Sequence, residues 1–208
     1  MNNVFLRFFS GFILAPLFIF FLYNHYYSIF FLILIIIFAS FYEIYKNVNQ
    51  KFLSIFLYLL IFLFSYSLIE LRGSKIENFI ELCWLLSIIW LSDIGGYIVG
   101  KLLGGKKLTK FSPKKTISGL IGSVIFSQFS ILIPIYFMQA HKINLSYILL
   151  QIVICLITVF GDIFFSYIKR INNIKDYSQI IPGHGGILDR IDGMIFAVIA
   201  YFIFKNLL

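Results

Sequence analysis

Residues 145–168 read LSYILLQIVICLITVFGDIFFSYI and are followed at once by Lys169 and Arg170. A helix rises about 1.5 Å per residue, so a run of this length crosses a bilayer core of about 30 Å. Asp162 is the one acid within it, and a carboxylate in hydrocarbon is costly unless it is paired, cation-bound or wetted. The stretch therefore reads as a membrane-spanning helix that carries a carboxylate for a reason. A lysine partner or a helix cap would be the structural reason, and chemistry the functional one.

The same reading extends over the chain. Of its 208 residues 61% are hydrophobic and only 12% charged, against about a quarter charged in a typical soluble domain. Aromatic residues make up 20%, which excludes disorder, collagen-like repeats and a disulfide scaffold. Cys83 and Cys155 lie in apolar runs and read as small buried hydrophobes. Seven apolar runs are bounded by charge or turn residues: Phe5 to Leu22, Tyr27 to Tyr45, Phe52 to Ile69, Phe79 to Val99, Ile117 to Met138, Leu145 to Ile168 and Ile191 to Phe204. The first is too long for a signal-peptide core and has no small-residue cleavage site after it. The expectation is an all-α, polytopic membrane bundle of about seven helices, with residues 1–78 as an N-terminal helical part and 79–208 as a catalytic part.

With the N-terminus inside, 13 of the 17 basic residues fall on the cytoplasmic side, as the positive-inside rule requires. The net charge of +8 is then a topology signal and a lure for anionic lipid or phosphate rather than for nucleic acid. Hydrophilic mass gathers in two inward loops, 101–116 and 169–190. Glu70, Glu77 and Glu81 lie near the outer boundary and Glu43 near an inner one, which leaves Asp93, Asp162, Asp176, Asp189 and Asp192 as candidates for chemistry.

Around Asp93, glycines 96 and 100 have the spacing of a helix-packing face. The loop that follows carries Lys101, Gly104-Gly105-Lys106-Lys107 and Ser112-Pro113-Lys114-Lys115-Thr116. Exposed backbone N–H groups with lysines suit polyphosphate, and a lipid-headgroup patch is the competing reading. In the second loop, Asp189 and Asp192 are three apart, so a helix starting near Leu188 places both on one face, an arrangement that suits a divalent metal. Gly183, Gly185 and Gly186 leave room for phosphate to approach the backbone. His184 among them serves phosphate, proton transfer or merely a neighbouring carbonyl. Lys169, Arg170 and Arg190 neutralise phosphate or only set topology.

Ser166-x-x-Lys169-Arg170, Lys175-Asp176 and Pro182-Gly183-His184-Gly185-Gly186-x-x-Asp189-Arg190-x-Asp192 together resemble the signature of the phosphatidate cytidylyltransferases, the CDP-diacylglycerol synthases. Asp93-x-Gly95-x-Tyr97 and Ser112 to Thr116 are similar to the family's other blocks, so the resemblance covers roughly residues 87 to 194. The chain departs at four places: Phe165 and Ser118 stand where the family usually has an acid, the pair Tyr177-Ser178 where it has Ser-Gly, and Gly193 where it has Ser.

The resemblance implies transfer of CMP from CTP to phosphatidate with release of pyrophosphate, in a homodimer of the inner (plasma) membrane whose motif loops face the cytoplasm. It implies Mg2+, and room for a second cation such as K+. Asp189 and Asp192 would be metal ligands, with Asp162 and Asp176 as further metal or base candidates and His184 as a catalytic group. Lys114, Lys115, Lys169, Arg170 and Arg190 would meet phosphates. Asp93, Ser112, Thr116, Ser166, Lys175, Gly183, Gly185 and Gly186 would complete the substrate site. The rivals are a CTP-dependent polyprenol kinase, which releases CDP, and a phospholipid transporter or channel lined by Asp93 and Asp162, which needs no CTP. A CDP-alcohol phosphotransferase is disfavoured because its Asp-Gly-x-x-Ala-Arg opening is absent.

Overall fold

The computed structural model describes residues 16–24, 27–137, 145–181 and 185–207. Its helices are α1 (Ser28–Asn47), α2 (Lys51–Arg72), α3 (Ile76–Leu103), α4 (Ile117–Ser127), α5 (Leu132–Phe137), α6 (Leu145–Ile171) and α7 (Leu188–Leu207), with a 3-10 turn at Gln128–Ile131 joining α4 to α5. Residues 16–24 are helical as well. Among the described residues no strand forms, and the only β pairings are isolated bridges within the two motif loops.

Five segments are long and apolar enough to cross a membrane: α1, α2, α3, the composite Ile117–Phe137, and α6. They coincide with five of the seven expected runs. The first run, Phe5 to Leu22, lies mostly outside the described residues. The last run forms most of α7, but this helix carries Asp189, Arg190, Asp192 and Lys205. Enclosure places it instead. Ile195, Ala197 and Val198 are fully buried, and the helix packs mainly against α6 and α2.

The closest packing joins α3 to α4, which return antiparallel across the loop at 104–116. Lipid tails are as apolar as leucine, so helices in a membrane adhere by close backbone approach, and small residues permit it. A Cβ on Gly96 would sit 2.5 Å from Ser123 Oγ, and one on Gly122 would sit 2.5 Å from Val99 Cβ. Ser123 Oγ also donates to the Ser92 carbonyl (2.8 Å). The GxxxG spacing at 96 and 100 is thus a helix-packing face.

The 3-10 turn at Gln128–Ile131 leaves backbone groups that lipid cannot satisfy. Gln151 of α6, fully buried, meets this need. Its amide lies 2.9 Å from Ser130 Oγ and from Gln128 Oε1, 3.2 Å from the Ile131 N–H and 3.1 Å from Trp84 Nε1. This polar knot ties α3, the turn and α6 together beyond the glycine seam.

The seam yields a stability prediction. Gly122→Ala introduces a methyl where no space exists, and overpacking of this kind costs about 1–3 kcal/mol. Thermal melting in detergent is expected to show a lowered midpoint.

Candidate active site

The 104–116 loop is built by its glycines and a short antiparallel ladder. Gly104 and Gly105 have φ of +61° and +104°, the left-handed region that glycine enters freely. The Leu108 N–H donates to the Lys115 carbonyl (2.8 Å) and the Ile117 N–H to the Lys106 carbonyl (3.0 Å). Thr116 caps α4 by accepting from the Gly119 N–H (3.1 Å). Ser118, one of the four departures, donates to the Gly104 carbonyl and so closes the loop on itself. Ser112 accepts the Lys115 N–H on its carbonyl (3.1 Å) and serves the turn. Lys106, Lys107, Lys110 and Lys114 stand exposed along it.

Lys115 turns inward and pairs with Asp162. The lysine partner is therefore the reason Asp162 is tolerated at this depth. Against Asp162 lies the carboxyl group of Asp192. Glycines beside the two acids allow this approach. A Cβ on Gly161 would come 2.9 Å from the Asp192 carbonyl, and one on Gly193 would come 3.0 Å from Asp162 Oδ1 and 2.9 Å from Thr158 Cγ2. Gly-Asp on α6 and Asp-Gly on α7 thus put backbone against backbone at the level where the carboxyls meet. Beside the pair, a cavity of about 270 Å³ is lined by Asp93, Gly96, Tyr97, Lys114, Lys115, Thr116, Gly119, Ser123, Val159 and Asp162. Asp93 is open to it and makes no ion pair among the described residues.

Asp189 is elsewhere. Helix α7 does begin at Leu188, as the spacing predicts, but the two carboxylates take different partners. Asp189, 3% exposed, pairs through Oδ1 with Lys169 Nζ (2.7 Å). Its Oδ2 accepts from the Tyr177 N–H (2.9 Å) and the Gly186 N–H (3.0 Å). A carboxylate so engaged clamps the loop to α6 and to the start of α7. Lys169 is likewise engaged within the protein, with the Tyr177 ring 5.7 Å from its Nζ. Asp176 is exposed on the surface beside Gly185, away from the Asp162–Asp192 pair, and does not join it. Gly183 and His184 lie outside the described residues, so the readings placed on them do too.

The glycine turn also differs from expectation. The Gly185 N–H donates to the Ile181 carbonyl (3.2 Å), and the Gly186 N–H goes to Asp189. The N–H groups of Ile187 and Leu188 both go to Glu43, at 2.9 Å to Oε1 and Oε2 respectively. From 185 to 188 the backbone donors are taken within the protein. The cationic side chains of Lys114, Lys175, Arg170 and Arg190 are exposed. Arg170 also donates to the Phe111 carbonyl (3.5 Å), and the Phe111 and Tyr167 rings pack at 4.7 Å, which draws the two motif loops together. Ser166, half-buried on the last turns of α6, completes that strip.

Sequence reading missed Glu43. It sits on the last turns of α1, fully buried, and also accepts from Ser178 Oγ (2.6 Å). Asn47, one turn on, donates to the Tyr177 carbonyl (2.6 Å). An acid four residues before an asparagine at an inner helix end was the signal, but only the fold brings it to a loop more than a hundred residues away. Helix α1 is accordingly bonded directly to the second motif loop.

Phe165 is fully buried among Phe164, Tyr177 and Phe196. Tyr177, another departure, is its neighbour, and burial, then Asp189, Asp192 and Glu43, hold its phenol well above the ordinary range. The place of the usual acid is dry here. Phe165→Glu is therefore expected to cost about 3 kcal/mol or more as an uncompensated buried charge, read as a lowered melting midpoint. Lys169→Met, which strands Asp189, should cost a similar amount, about 3 kcal/mol, in the same assay.

Residues 45–208 match the model of the cytidylyltransferase family. The chain is 35% identical over 215 residues to a phosphatidate cytidylyltransferase of Rickettsia bellii, covering 97% of this chain and 91% of that protein. It is 40% identical over 125 residues to a phosphatidate cytidylyltransferase of Helicobacter pylori, 58% of this chain and 45% of that protein. A third of that name, from Staphylococcus haemolyticus, is 42% identical over 115 residues, 53% of this chain and 43% of that protein. The chain thus spans about half the length of the Helicobacter and Staphylococcus relatives and nearly all of the Rickettsia one.

Proposed function

The chain belongs to the cytidylyltransferase family, and from that premise we propose that it transfers the cytidylyl group of CTP to phosphatidate, giving CDP-diacylglycerol and pyrophosphate. The observation that carries this reading is the contact of Asp162 with Asp192 beside a cavity whose rim bears Lys114 and Lys115. In the reaction a phosphate oxygen of the lipid forms a bond to the α-phosphorus of CTP, and the bond from that phosphorus to the bridging oxygen of pyrophosphate breaks. Both reactants are anions, so positioning and charge neutralisation supply most of the catalysis.

The residues divide this work. Lys114, Arg170, Lys175 and Arg190, exposed around the mouth, meet phosphates. Lys115 holds Asp162 in place and presents its charge to the cavity. Gly96, Gly119 and Ser123 line the cavity where α3 and α4 pack against each other. Among the described residues no three His, Cys, Asp or Glu side chains converge on one point. Two abutting carboxylates fit Mg2+, because that ion usually takes one or two carboxylates and completes its shell with substrate phosphate and water. Asp162 and Asp192 would hold it, and it would neutralise charge developing on the phosphates.

We further propose seven crossings with the N-terminus inside, which puts both motif loops in the cytoplasm. The run Phe5 to Leu22 and α7 would supply the crossings beyond the five, and the basic residues gathered in the loops support the orientation. Cysteines placed at Ser112 and Ser178 are expected to react with an impermeant thiol reagent only once the inner face is opened. Labelling from outside intact cells would reject this topology.

The activity is tested with purified protein, phosphatidate, labelled CTP and Mg2+, where label is expected in the lipid. Release of CDP with a phosphorylated polyprenol would favour the kinase instead. Asp192→Asn keeps the shape and removes one charge of the pair, so transfer is expected to fall by about 100-fold or more. Asp189→Asn is expected to act mainly on stability, since its carboxylate serves the loop. Near-native activity of Asp192→Asn with an unchanged Mg2+ requirement would return this residue to an ordinary place in the helix.

A further inference from the structure

Glu43 accepts three hydrogen bonds, and all three come from the segment that leads into α7: Ser178 Oγ, the Ile187 N–H and the Leu188 N–H. Helix starts carry partial positive charge and bare N–H groups, and a carboxylate there satisfies both. What is unusual is its origin. The cap comes from a different helix, α1, two residues before the stretch that matches the family model, and it is fully buried. The fit is close enough that a Cβ on Gly186 would come 2.5 Å from Glu43 Oε1. Glu43 therefore leaves no room for a side chain at Gly186.

We propose that Glu43 is a positioning residue of the transfer reaction, an inference that rests on the function stated above. Its carboxylate fixes the first turn of α7, and that turn carries Asp192 to Asp162 and Asp189 to Lys169. By occupying the N–H groups at 187 and 188 it also keeps substrate phosphate off the helix start and leaves it to the cations around the cavity. Asn47 helps by holding the Tyr177 carbonyl from the same face of α1.

The test compares Glu43→Gln, Ser178→Ala and their combination with Glu81→Gln as control. Glu81 is the acid at the other end of the bundle, paired with Lys205 and accepting from Tyr201. It lies twelve residues from Asp93 along α3, about 18 Å at helical rise. Glu43→Gln keeps the shape but offers an N–H where the loop also offers one. A fall in kcat of about 10-fold or more is expected, in the range seen when an outer partner of a site is lost, with a smaller change in the KM for CTP. Ser178→Ala should lower kcat less, and the pair should lose less than the product of the single effects, because both act through one contact. A cysteine at Ile180, on the exposed loop, should be modified faster in Glu43→Gln than in the parent. Glu81→Gln should lower the melting midpoint without lowering kcat.

Native kcat in Glu43→Gln would overturn the proposal, as would an equal kcat loss in Glu81→Gln at matched stability. If Glu43→Gln does not fold, Ser178→Ala alone decides, and its native kcat together with an unchanged Ile180→Cys modification rate would overturn the proposal. An unsubstituted protein that makes no CDP-lipid would bring down the functional reading and this inference with it, an outcome distinct from an active protein indifferent to Glu43.

Discussion

Two carboxylates, Glu43 and Asp189, take up the backbone N–H groups at the start of α7, and the other charged groups at this end of the bundle are arranged around that capture. Once the first turn of α7 is held from α1 on one side and from Lys169 of α6 on the other, Asp192 has one place to go. That place is against Asp162, where glycines on both helices let the backbones touch. An apolar bundle leaves few other solutions, since each buried acid must find donors within the protein.

The ionic groups consequently fall into two sets. Lys169 with Asp189 and Lys205 with Glu81 hold helices and loops together. Lys114, Lys175, Arg170 and Arg190 are exposed and retain their charge for anions. Lys115 belongs to both sets, because its partner Asp162 is also half of the carboxylate pair.

The membrane-buried part keeps the cavity open by different means. Glycines at 95, 96, 100, 119 and 122 let α3 and α4 meet backbone to backbone, and Gln151 fastens the 3-10 turn beyond them. Close approach at the seam and a fixed break in the α4 to α5 segment together set the width of the gap that Asp93 and Ser123 line. Packing here is a matter of small side chains and a few internal hydrogen bonds, as expected where no water drives helices together.

Helices, their approximate ends and the small-residue face were legible in the chain, because apolar length, charge boundaries and glycine spacing are local properties of a sequence in a bilayer. The family signature was legible too. Tertiary structure alone decided which acids meet. Asp189 and Asp192 share a spacing that suits one metal, yet the first is drawn to Lys169 and two N–H groups and the second to Asp162. Glu43 looked like a boundary acid because its partners lie 135 to 145 residues away. Spacing along a helix fixes which face a side chain occupies, but a carboxylate's role depends on which donors the fold brings within about 3 Å of it, and that distance is set by helices far apart in sequence.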